Sequence, residues 1–510
     1  MIMKAAFLLL CLVSLSPALA GATAVSSRNE EKTAVTRHSL ILEGRTVEYT
    51  ATAGFLQIGE KAGSPKANIF FIAYEREGHG SKRNRPVTFV FNGGPGASSL
   101  WLHLGAAGPR RIARSYEGTL LPPPYYLIDN EYTWLGMTDL VFIDPVGTGY
   151  SRAAAGENPE QFYGVREDTR SVGEFIRLYV SKYGRWLSPK IIAGESYGTT
   201  RAVALAHHLH DAHGMDINAL VLISSVLNFQ AIMTNPGNDL PYAIFLPSYT
   251  AAASHHGKTS FDSGVSLPGV LQEVEKWALR EYLPALAQGD ALPAEERRRV
   301  REKLAFYTGL SETLIENNNL RISAPQFLSN LLQEENCSPG LLDSRYTNVG
   351  RTDALFYHDP SFYGTLGAFA ATMNDYVRSE LQYESDLSPY EYLSKRVNAL
   401  WNWGSALQGY ITVTDTLQDL LWKNPHLKVF IASGYYDLNT PYFSAVYNIN
   451  HLWLGPKLRE NVTLAFYEAG HQMYTDRKSL IKLKTDMETF FVKACPPLSG
   501  EAPGHSSEGR

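Results

Sequence analysis

A serine framed by two glycines is the residue of this sequence best suited to covalent chemistry. Ser196 lies in Gly194-Glu195-Ser196-Tyr197-Gly198, between an apolar run at 190–193 and a helix-prone segment that starts at Thr199. In this strand–turn–helix context, a G-x-S-x-G sequence raises the serine hydroxyl on a sharp turn. The N-terminus of the following helix stabilises developing negative charge. The pattern therefore predicts Ser196 as the nucleophile of an acyl-transfer reaction.

A serine nucleophile needs a general base, usually histidine, and a carboxylate that orients this base. Two later residues follow short apolar runs typical of buried strands: Asp437 comes after 429–432 and His471 after 462–466. Open α/β sheets gather their site residues in the loops at the carboxyl ends of such strands. The chain order Ser, Asp, His is also that of α/β hydrolases. We therefore predict His471 as the general base and Asp437 as its orienting carboxylate.

An acyl-transfer intermediate also needs N–H donors that face its oxyanion. The segment Asn92-Gly93-Gly94-Pro95-Gly96 follows another strand-like run and offers bare backbone that a substrate can approach closely. The N–H of Tyr197, directly after the nucleophile, is the natural second donor. These positions predict an oxyanion hole between the glycine segment and the serine turn.

The segments around these residues predict the elements that must position them. Strand-like and helix-like segments alternate from residue 38 to about 230, which indicates a doubly wound, mostly parallel sheet. Residues 231–400 are instead rich in helix formers, proline and aromatic residues, and strand-like runs return afterwards. We therefore predict an α/β-hydrolase fold whose core, residues 38–230 and 401–495, is interrupted by a helical cap insertion, residues 231–400.

Composition and the N-terminus narrow the class of protein. The chain has 510 residues, of which 44% are hydrophobic and 19% charged, and a net charge of −5, which gives no general attraction to nucleic acid or anionic membranes. Residues 1–20 are typical of a signal peptide, with a short apolar core and a cleavage site at Ala18-Leu19-Ala20. We expect an exported, periplasmic or secreted protein without an integral membrane span after cleavage. The tail, residues 496–510, is predicted to be disordered.

Two cysteines, Cys337 and Cys495, remain after the predicted cleavage. In an exported protein they can form one disulfide, and two free thiols are the alternative. No paired Cys/His cluster in the sequence suggests a metal site, and we expect neither metal nor cofactor. The sequence leaves a homodimer open.

Three motifs together resemble the serine carboxypeptidases, the group that includes carboxypeptidase Y and cathepsin A. They are the turn around Ser196, the segment Asn92-Gly93-Gly94-Pro95-Gly96-Ala97-Ser98-Ser99 and the segment Asp144-Pro145-Val146-Gly147-Thr148-Gly149-Tyr150-Ser151. The resemblance runs from about residue 38 to 492, with little support inside the insertion. It implies an exported peptidase that releases C-terminal amino acids from peptides with a free C-terminus through an acyl-enzyme.

The resemblance also implies roles for residues beside the nucleophile. The N–H groups of Gly94 and Tyr197 would form the oxyanion hole, while Asn92 and Glu195 would hold the substrate's C-terminal carboxylate with help from the Gly93 backbone. Two carboxyl groups in contact raise the pKa of one of them strongly. A neutral Glu195 could then donate a hydrogen bond to the substrate carboxylate, so peptide hydrolysis is expected to favour acid pH.

The sequence departs from the family pattern at several places. Phe91 stands where a tryptophan is usual, and Ala106 stands where many members carry another carboxylate-binding glutamate; His103 and Arg110 lie nearby but cannot be assigned to replace it. Gln472-Met473-Tyr474 replaces the usual Met-Val-Pro after the histidine. The disulfide set of eukaryotic members is missing, and we expect a bacterial-type member.

Two other functions use the same features. Relatives employ the same triad as esterases or acyltransferases, and a binding protein on an inactive hydrolase scaffold is a non-enzymatic reading. Asn92 and Glu195 favour peptides over esters, and the complete set of Ser196, Asp437 and His471 argues against an inactive scaffold.

Overall fold

One large sheet passes through the middle of the molecule. The computed structural model describes residues 33–59, 66–78, 80–115, 120–259, 261, 264–349, 359–384, 388–404 and 409–496. The predicted signal peptide, residues 1–20, lies outside the described residues, as does the predicted tail beyond Pro496.

Fourteen strands are assigned within the described residues. They are β1 Thr33–Leu42, β2 Arg45–Ile58, β3 Ala67–Arg76, β4 Val87–Phe91, β5 Arg110–Ile112, β6 Leu127–Asp129, β7 Asp139–Ile143, β8 Arg152–Ala153, β9 Lys190–Glu195, β10 Ala219–Ile223, β11 Cys337–Pro339, β12 Thr347–Val349, β13 Lys428–Gly434 and β14 Val462–Tyr467. The large sheet has the order β1-β2-β3-β7-β4-β9-β10-β13-β14, and β8 pairs with β3. The six strands from β7 to β14 in this order run parallel, while β1, β2 and β3 are antiparallel at one edge. The predicted mostly parallel sheet is confirmed.

The helices of the described residues connect and cover these strands. They are α1 Leu100–Leu102, α2 Val165–Lys182, α3 Tyr197–His213, α4 Leu240–His255, α5 Leu267–Trp277, α6 Leu283–Ala287, α7 Ala294–Thr308, α8 Glu312–Asn317, α9 Ala324–Leu331, α10 Pro360–Ser379, α11 Lys395–Ala399, α12 Thr414–Lys423, α13 Tyr442–Asn450, α14 Gly455–Arg459 and α15 Arg477–Ala494.

Both faces of the parallel strands are buried, which explains their continuous apolar runs in the sequence. Successive residues point to opposite faces, so Ile191 of β9 joins one apolar cluster and Ile192 joins another. Side chains of α10 and α15 complete the first cluster. Side chains of α2, α3, α12 and α13 complete the second. The sheet is thus held between two helical layers, which fixes the loops at its carboxyl edge.

The insertion contains two kinds of helix. Apolar side chains of α4 to α9 pack mainly among themselves in a third cluster. In contrast, Phe369 and Met373 of α10 are wholly buried in the cluster on the sheet face. That residues 231–400 form one cap stays a prediction. Helix α10, near the end of this range, is part of the layer that covers the sheet.

Cys337 and Cys495 are both free, and they pack at the edges of two different apolar clusters. Within the described ranges, no helix combines the length and the apolarity needed to cross a membrane. The same ranges contain no group of three or more His, Cys, Asp or Glu side chains arranged to hold a metal ion.

Candidate active site

Ser196 occupies a tight turn between strand β9 and helix α3. Its backbone has φ 58° and ψ −130°, a conformation with positive φ that is rare for residues other than glycine. A Cβ atom on Gly194 would overlap the carbonyl of Gly198, so the two flanking residues can approach only because Gly194 lacks a side chain. The turn exposes Ser196 to a cavity at the carboxyl edge of the sheet.

His471 and Asp437 are brought together by the loops after two neighbouring parallel strands, β14 and β13. The Nδ1 atom of His471 lies 2.7 Å from Oδ2 of Asp437, and both side chains are buried. The other oxygen, Oδ1 of Asp437, accepts hydrogen bonds from the N–H groups of Asn439 and Thr440 at 2.8 and 2.9 Å. A carboxylate fixed in this way orients the ring and leaves Nε2 for a reacting group.

Two hydroxyl groups that the sequence did not single out complete this arrangement. Thr440 donates a hydrogen bond to Oδ2 of Asp437 at 2.7 Å. Ser224, after strand β10, donates to the carbonyl of His471 at 2.6 Å. Thr440 thus holds the carboxylate of Asp437, and Ser224 holds the backbone of the histidine loop.

The charge of His471 is set by opposing effects. Burial disfavours the imidazolium, but the carboxylate of Asp437, assisted by the charge of Glu195, outweighs burial and raises the pKa of His471 above its usual value. A histidine in this environment accepts a proton readily, as a general base must.

The segment before α10 also holds the histidine loop. The N–H of His471 donates to the carbonyl of Leu342 at 2.6 Å, and the N–H of Gly470 donates to Oδ2 of Asp343 at 3.0 Å. A Cβ atom on Gly470 would overlap both Leu342 and Asp343. Arg345 pairs with Asp343 at 2.7 Å and donates to the carbonyl of Glu468 at 2.7 Å. The insertion therefore buttresses a predicted site residue directly.

The glycine segment after strand β4 packs against the serine turn, because β4 and β9 are neighbours in the sheet. A Cβ atom on Gly93 would lie 2.5 Å from the backbone nitrogen of Tyr197. Gly94 has φ +99°, which favours glycine. The backbone that carries both predicted oxyanion donors, Gly94 and Tyr197, thus converges beside Ser196.

Asn92 and Glu195 form a buried pair next to the predicted nucleophile. The Nδ2 group of Asn92 donates to Oε1 of Glu195 at 2.8 Å. Asn92 is itself held, because its carbonyl accepts a hydrogen bond from Arg201 at 2.7 Å and Arg201 pairs with buried Asp168 at 2.6 Å. Burial raises the pKa of Glu195, although the charge of His471 and hydrogen bonds from its neighbours counteract part of this rise.

Most of the predicted residues line one cavity of about 270 Å³. Its predicted lining residues are Asn92, Gly93, Gly94, Glu195, Ser196 and His471, and its other lining residues are Ala97, Trp101, Leu342, Phe362, Leu393, Asn398, Asn439 and Gln472. Asp437 and the side chain of Tyr197 lie behind this surface. A wider depression of about 720 Å³ among α5, α6 and α7 contains none of the predicted residues.

Comparison with known proteins identifies the family. A sequence profile described as serine carboxypeptidase matches residues 43–484, which is most of the chain. The chain belongs to the serine carboxypeptidase family. This match confirms the resemblance to the serine carboxypeptidases that the motifs indicated.

Individual relatives are more distant. Serine carboxypeptidase-like 10 of Arabidopsis thaliana is 25% identical over 232 residues, 45% of this chain and 48% of that protein. Venom serine carboxypeptidase of Apis mellifera is 28% identical over 221 residues, 41% of this chain and 42% of that protein. The chain thus spans less than half the length of each of these curated relatives.

A solved structure shares the fold of this serine carboxypeptidase family member. KEX1(delta)p, a prohormone-processing carboxypeptidase from Saccharomyces cerevisiae, aligns with a TM-score of 0.54 over 86% of this chain and 91% of its own, at 17% identity. With the parallel sheet and its helical layers, this likeness confirms the predicted α/β-hydrolase fold.

The departures from the serine carboxypeptidase pattern have structural counterparts. His103, which burial keeps neutral with its pKa lowered to about 3, bonds to the hydroxyl of Tyr74 at 2.7 Å. Arg110 pairs with Asp129 and Glu380. Both residues are thus engaged away from Glu195. Besides Asn92, Tyr474 contacts Glu195, and its hydroxyl donates to Oε2 at 2.6 Å. The altered tripeptide after the histidine was the sequence signal for it.

Proposed function

We propose that this protein is an exported serine carboxypeptidase that removes C-terminal amino acids from peptides through an acyl-enzyme. The observation that carries the proposal is the buried hydrogen bond between Asn92 and Glu195 in the same cavity as Ser196 and His471. This cavity offers a nucleophile with its base and, beside them, polar groups suited to a substrate carboxylate. Such a combination fits cleavage of the bond next to a free C-terminus.

The reaction would use the residues as follows. His471 takes the proton of Ser196 as its Oγ attacks the scissile carbonyl, and Asp437 stabilises the imidazolium. The N–H groups of Gly94 and Tyr197 bind the oxyanion. His471 then gives the proton to the leaving amine, which departs as the free amino acid. Water activated by His471 hydrolyses the acyl-enzyme in a second, equivalent cycle.

The C-terminal carboxylate would bind to Asn92, Glu195 and the Gly93 backbone. Burial already raises the pKa of Glu195, and a substrate carboxylate beside it raises the pKa further. A protonated Glu195 donates a hydrogen bond to that carboxylate, whereas an ionised one repels it. Binding of peptides therefore weakens as pH rises through the shared proton, while binding of amides and esters does not. Export rests on residues 1–20, which lie outside the described residues.

The test compares an N-blocked dipeptide with its C-terminal amide, from pH 4 to 8, using wild type and Glu195→Gln. We expect wild type to cleave the free acid with a KM that rises towards neutral pH, and to cleave the amide without this rise. In Glu195→Gln the pH dependence of KM for the free acid should disappear. Fluorophosphonate labelling, lost in Ser196→Ala, checks that each protein carries the reactive serine.

Two outcomes would contradict the proposal. If wild type and Glu195→Gln both show the same pH dependence of KM for the free acid and for the amide, Glu195 does not recognise a C-terminus. An esterase or acyltransferase would then explain the site better. Wild-type protein that neither reacts with fluorophosphonate nor cleaves either substrate would favour a non-enzymatic binding protein.

A further inference from the structure

A buried tyrosine hydroxyl occupies the side of Glu195 opposite Asn92. Tyr474 follows the histidine loop and is 2% exposed. Its hydroxyl donates to Oε2 of Glu195 at 2.6 Å, while Asn92 donates to Oε1 at 2.8 Å. Each carboxylate oxygen of Glu195 thus accepts a hydrogen bond from the protein, which fixes the plane of the carboxyl group.

The position of the Tyr474 ring depends on one glycine. A Cβ atom on Gly105 would lie 2.5 Å from Cε2 and 2.6 Å from Cδ2 of Tyr474. Any side chain at position 105 would therefore displace the ring. The chain is thus built to admit a large side chain at this point.

We propose that Tyr474 is a positioning residue for recognition of the substrate C-terminus: its hydroxyl holds Glu195 and sets the pH above which the site no longer accepts a carboxylate. This inference rests on the proposed function, because it assigns the regulation of the same carboxylate site. Tyr474 acts through Glu195 and takes no part in the covalent steps.

The direction of the effect follows from the charges around the pair. Glu195 faces His471, which favours its ionised form, and Asp437, which disfavours it. Tyr474 has Arg114 as its other charged neighbour. A hydroxyl that donates to a carboxylate stabilises the ionised form, so the Tyr474 hydrogen bond lowers the pKa of Glu195. Removal of the hydroxyl should let Glu195 keep its proton to higher pH.

The experiment measures KM and kcat against pH for Tyr474→Phe, with an N-blocked dipeptide and its C-terminal amide. We expect the pH at which KM for the free acid rises to move upward by about one pH unit, the equivalent of one hydrogen bond. The kinetic constants for the amide should change less than twofold. Gly105→Ala, which displaces the ring, should move the same rise in the same direction.

Tyr307→Phe is the matched control, because the buried hydroxyl of Tyr307 donates to Glu273 at 2.8 Å within the insertion. Its profile should coincide with wild type. Fluorophosphonate labelling identifies properly folded preparations of each variant.

Three outcomes would overturn the inference. If wild type distinguishes acid from amide but the Tyr474→Phe profile coincides with it, Tyr474 has no role and the proposed function stands. If Tyr474→Phe impairs acid and amide equally, with no shift along the pH axis, its role is structural. If wild type shows no difference between acid and amide, the inference fails together with the proposed function.

Discussion

The two walls of the cavity are built on different principles. The sheet wall, formed by Asn92, Glu195, Ser196 and His471, consists of polar groups that backbone and buried side chains hold at hydrogen-bond distance. The insertion wall, formed by Leu342, Phe362, Leu393 and Asn398, is mostly apolar. Reacting groups need exact donors and acceptors, whereas apolar surfaces discriminate between ligands by only modest factors.

The difference between the two walls indicates that the sheet wall carries out the chemistry and the insertion wall selects the substrate. Changes to Ser196, His471 or the carboxylate that orients it, Asp437, should alter the rate for every substrate. Changes in the exposed face of the insertion wall should alter the choice of substrate side chain and leave the chemical step intact. Each prediction below tests this separation, beginning with the largest expected effect.

Asp437→Asn should lower kcat about 10⁴-fold, because the amide favours the wrong tautomer of His471 while preserving its position. The loss should be the same for an N-blocked dipeptide and its amide, with KM nearly unchanged, in steady-state assays.

Asp419→Asn serves as the matched control, since Asp419 lies on α12 in a surface pair with Lys423 at 2.8 Å. It should retain wild-type kinetics. A loss in Asp437→Asn that differed strongly between the two substrates would show that Asp437 affects binding as well. The chemical step and substrate selection would then not be separate functions of the two walls.

Arg201→Met should destabilise the folded protein at the buried contacts that hold Asn92 of the sheet wall. The substitution leaves Asp168 as an unpaired buried carboxyl and removes the donor to the carbonyl of Asn92. We expect the free energy of unfolding to fall by about 3–5 kcal/mol in urea titrations. Arg298→Met, at an exposed pair with Glu295, should give no measurable change. A neutral effect of Arg201→Met would mean that Asn92 is held by other contacts.

Phe362→Ala should weaken selection by the insertion wall. Phe362 contributes apolar surface to the cavity beside Trp101, so its truncation should lower kcat/KM about tenfold for dipeptides with bulky apolar side chains. Dipeptides of alanine should be affected less than twofold. Phe306→Ala, at an exposed position of α7, is the control. An equal loss for large and small side chains would assign Phe362 to the support of the histidine loop instead.

Asp144→Asn should have the smallest effect. Asp144 directly follows strand β7 of the large sheet and does not line the cavity. Asp144 accepts two hydrogen bonds from Ser99, and burial raises its pKa from 3.8 to about 6. Since the folded state binds this proton more tightly than the unfolded state, the contribution to stability is present in acid and is lost as pH rises towards 6.

The free energy of unfolding of wild type should therefore be about 1 kcal/mol larger at pH 5 than at pH 7 through this group, because the folded state is the more stable one in acid. Asp144→Asn should lack that increment when urea titrations at the two pH values are compared. An unchanged difference between pH 5 and pH 7 in the variant would assign the pH dependence to other carboxyl groups.

The sheet wall was largely predictable because its residues carry local signals. Ser196 lies between glycines, and Asp437 and His471 each follow an apolar strand, so parallel strand order alone brings them to one edge. Tyr474 and Thr440 were not assigned roles, because the partner of a single hydroxyl is known only from the fold, even where the sequence departs from the family pattern, as it does at 472–474. The packing of α10 against the sheet was also not predicted, since an apolar helix does not specify which surface it covers.

The hydrogen bond from His471 to Leu342 limits how this chain can be shortened. A protein engineer who deleted residues 231–400 to obtain a minimal hydrolase would remove the acceptor of that bond, the Asp343 carboxylate beside Gly470 and the helix α10 over the sheet. A loop graft that ends before residue 340 would keep all three. For evolution the same contact means that α4 to α9, which pack mainly with one another, can be exchanged with the least disturbance of the histidine loop.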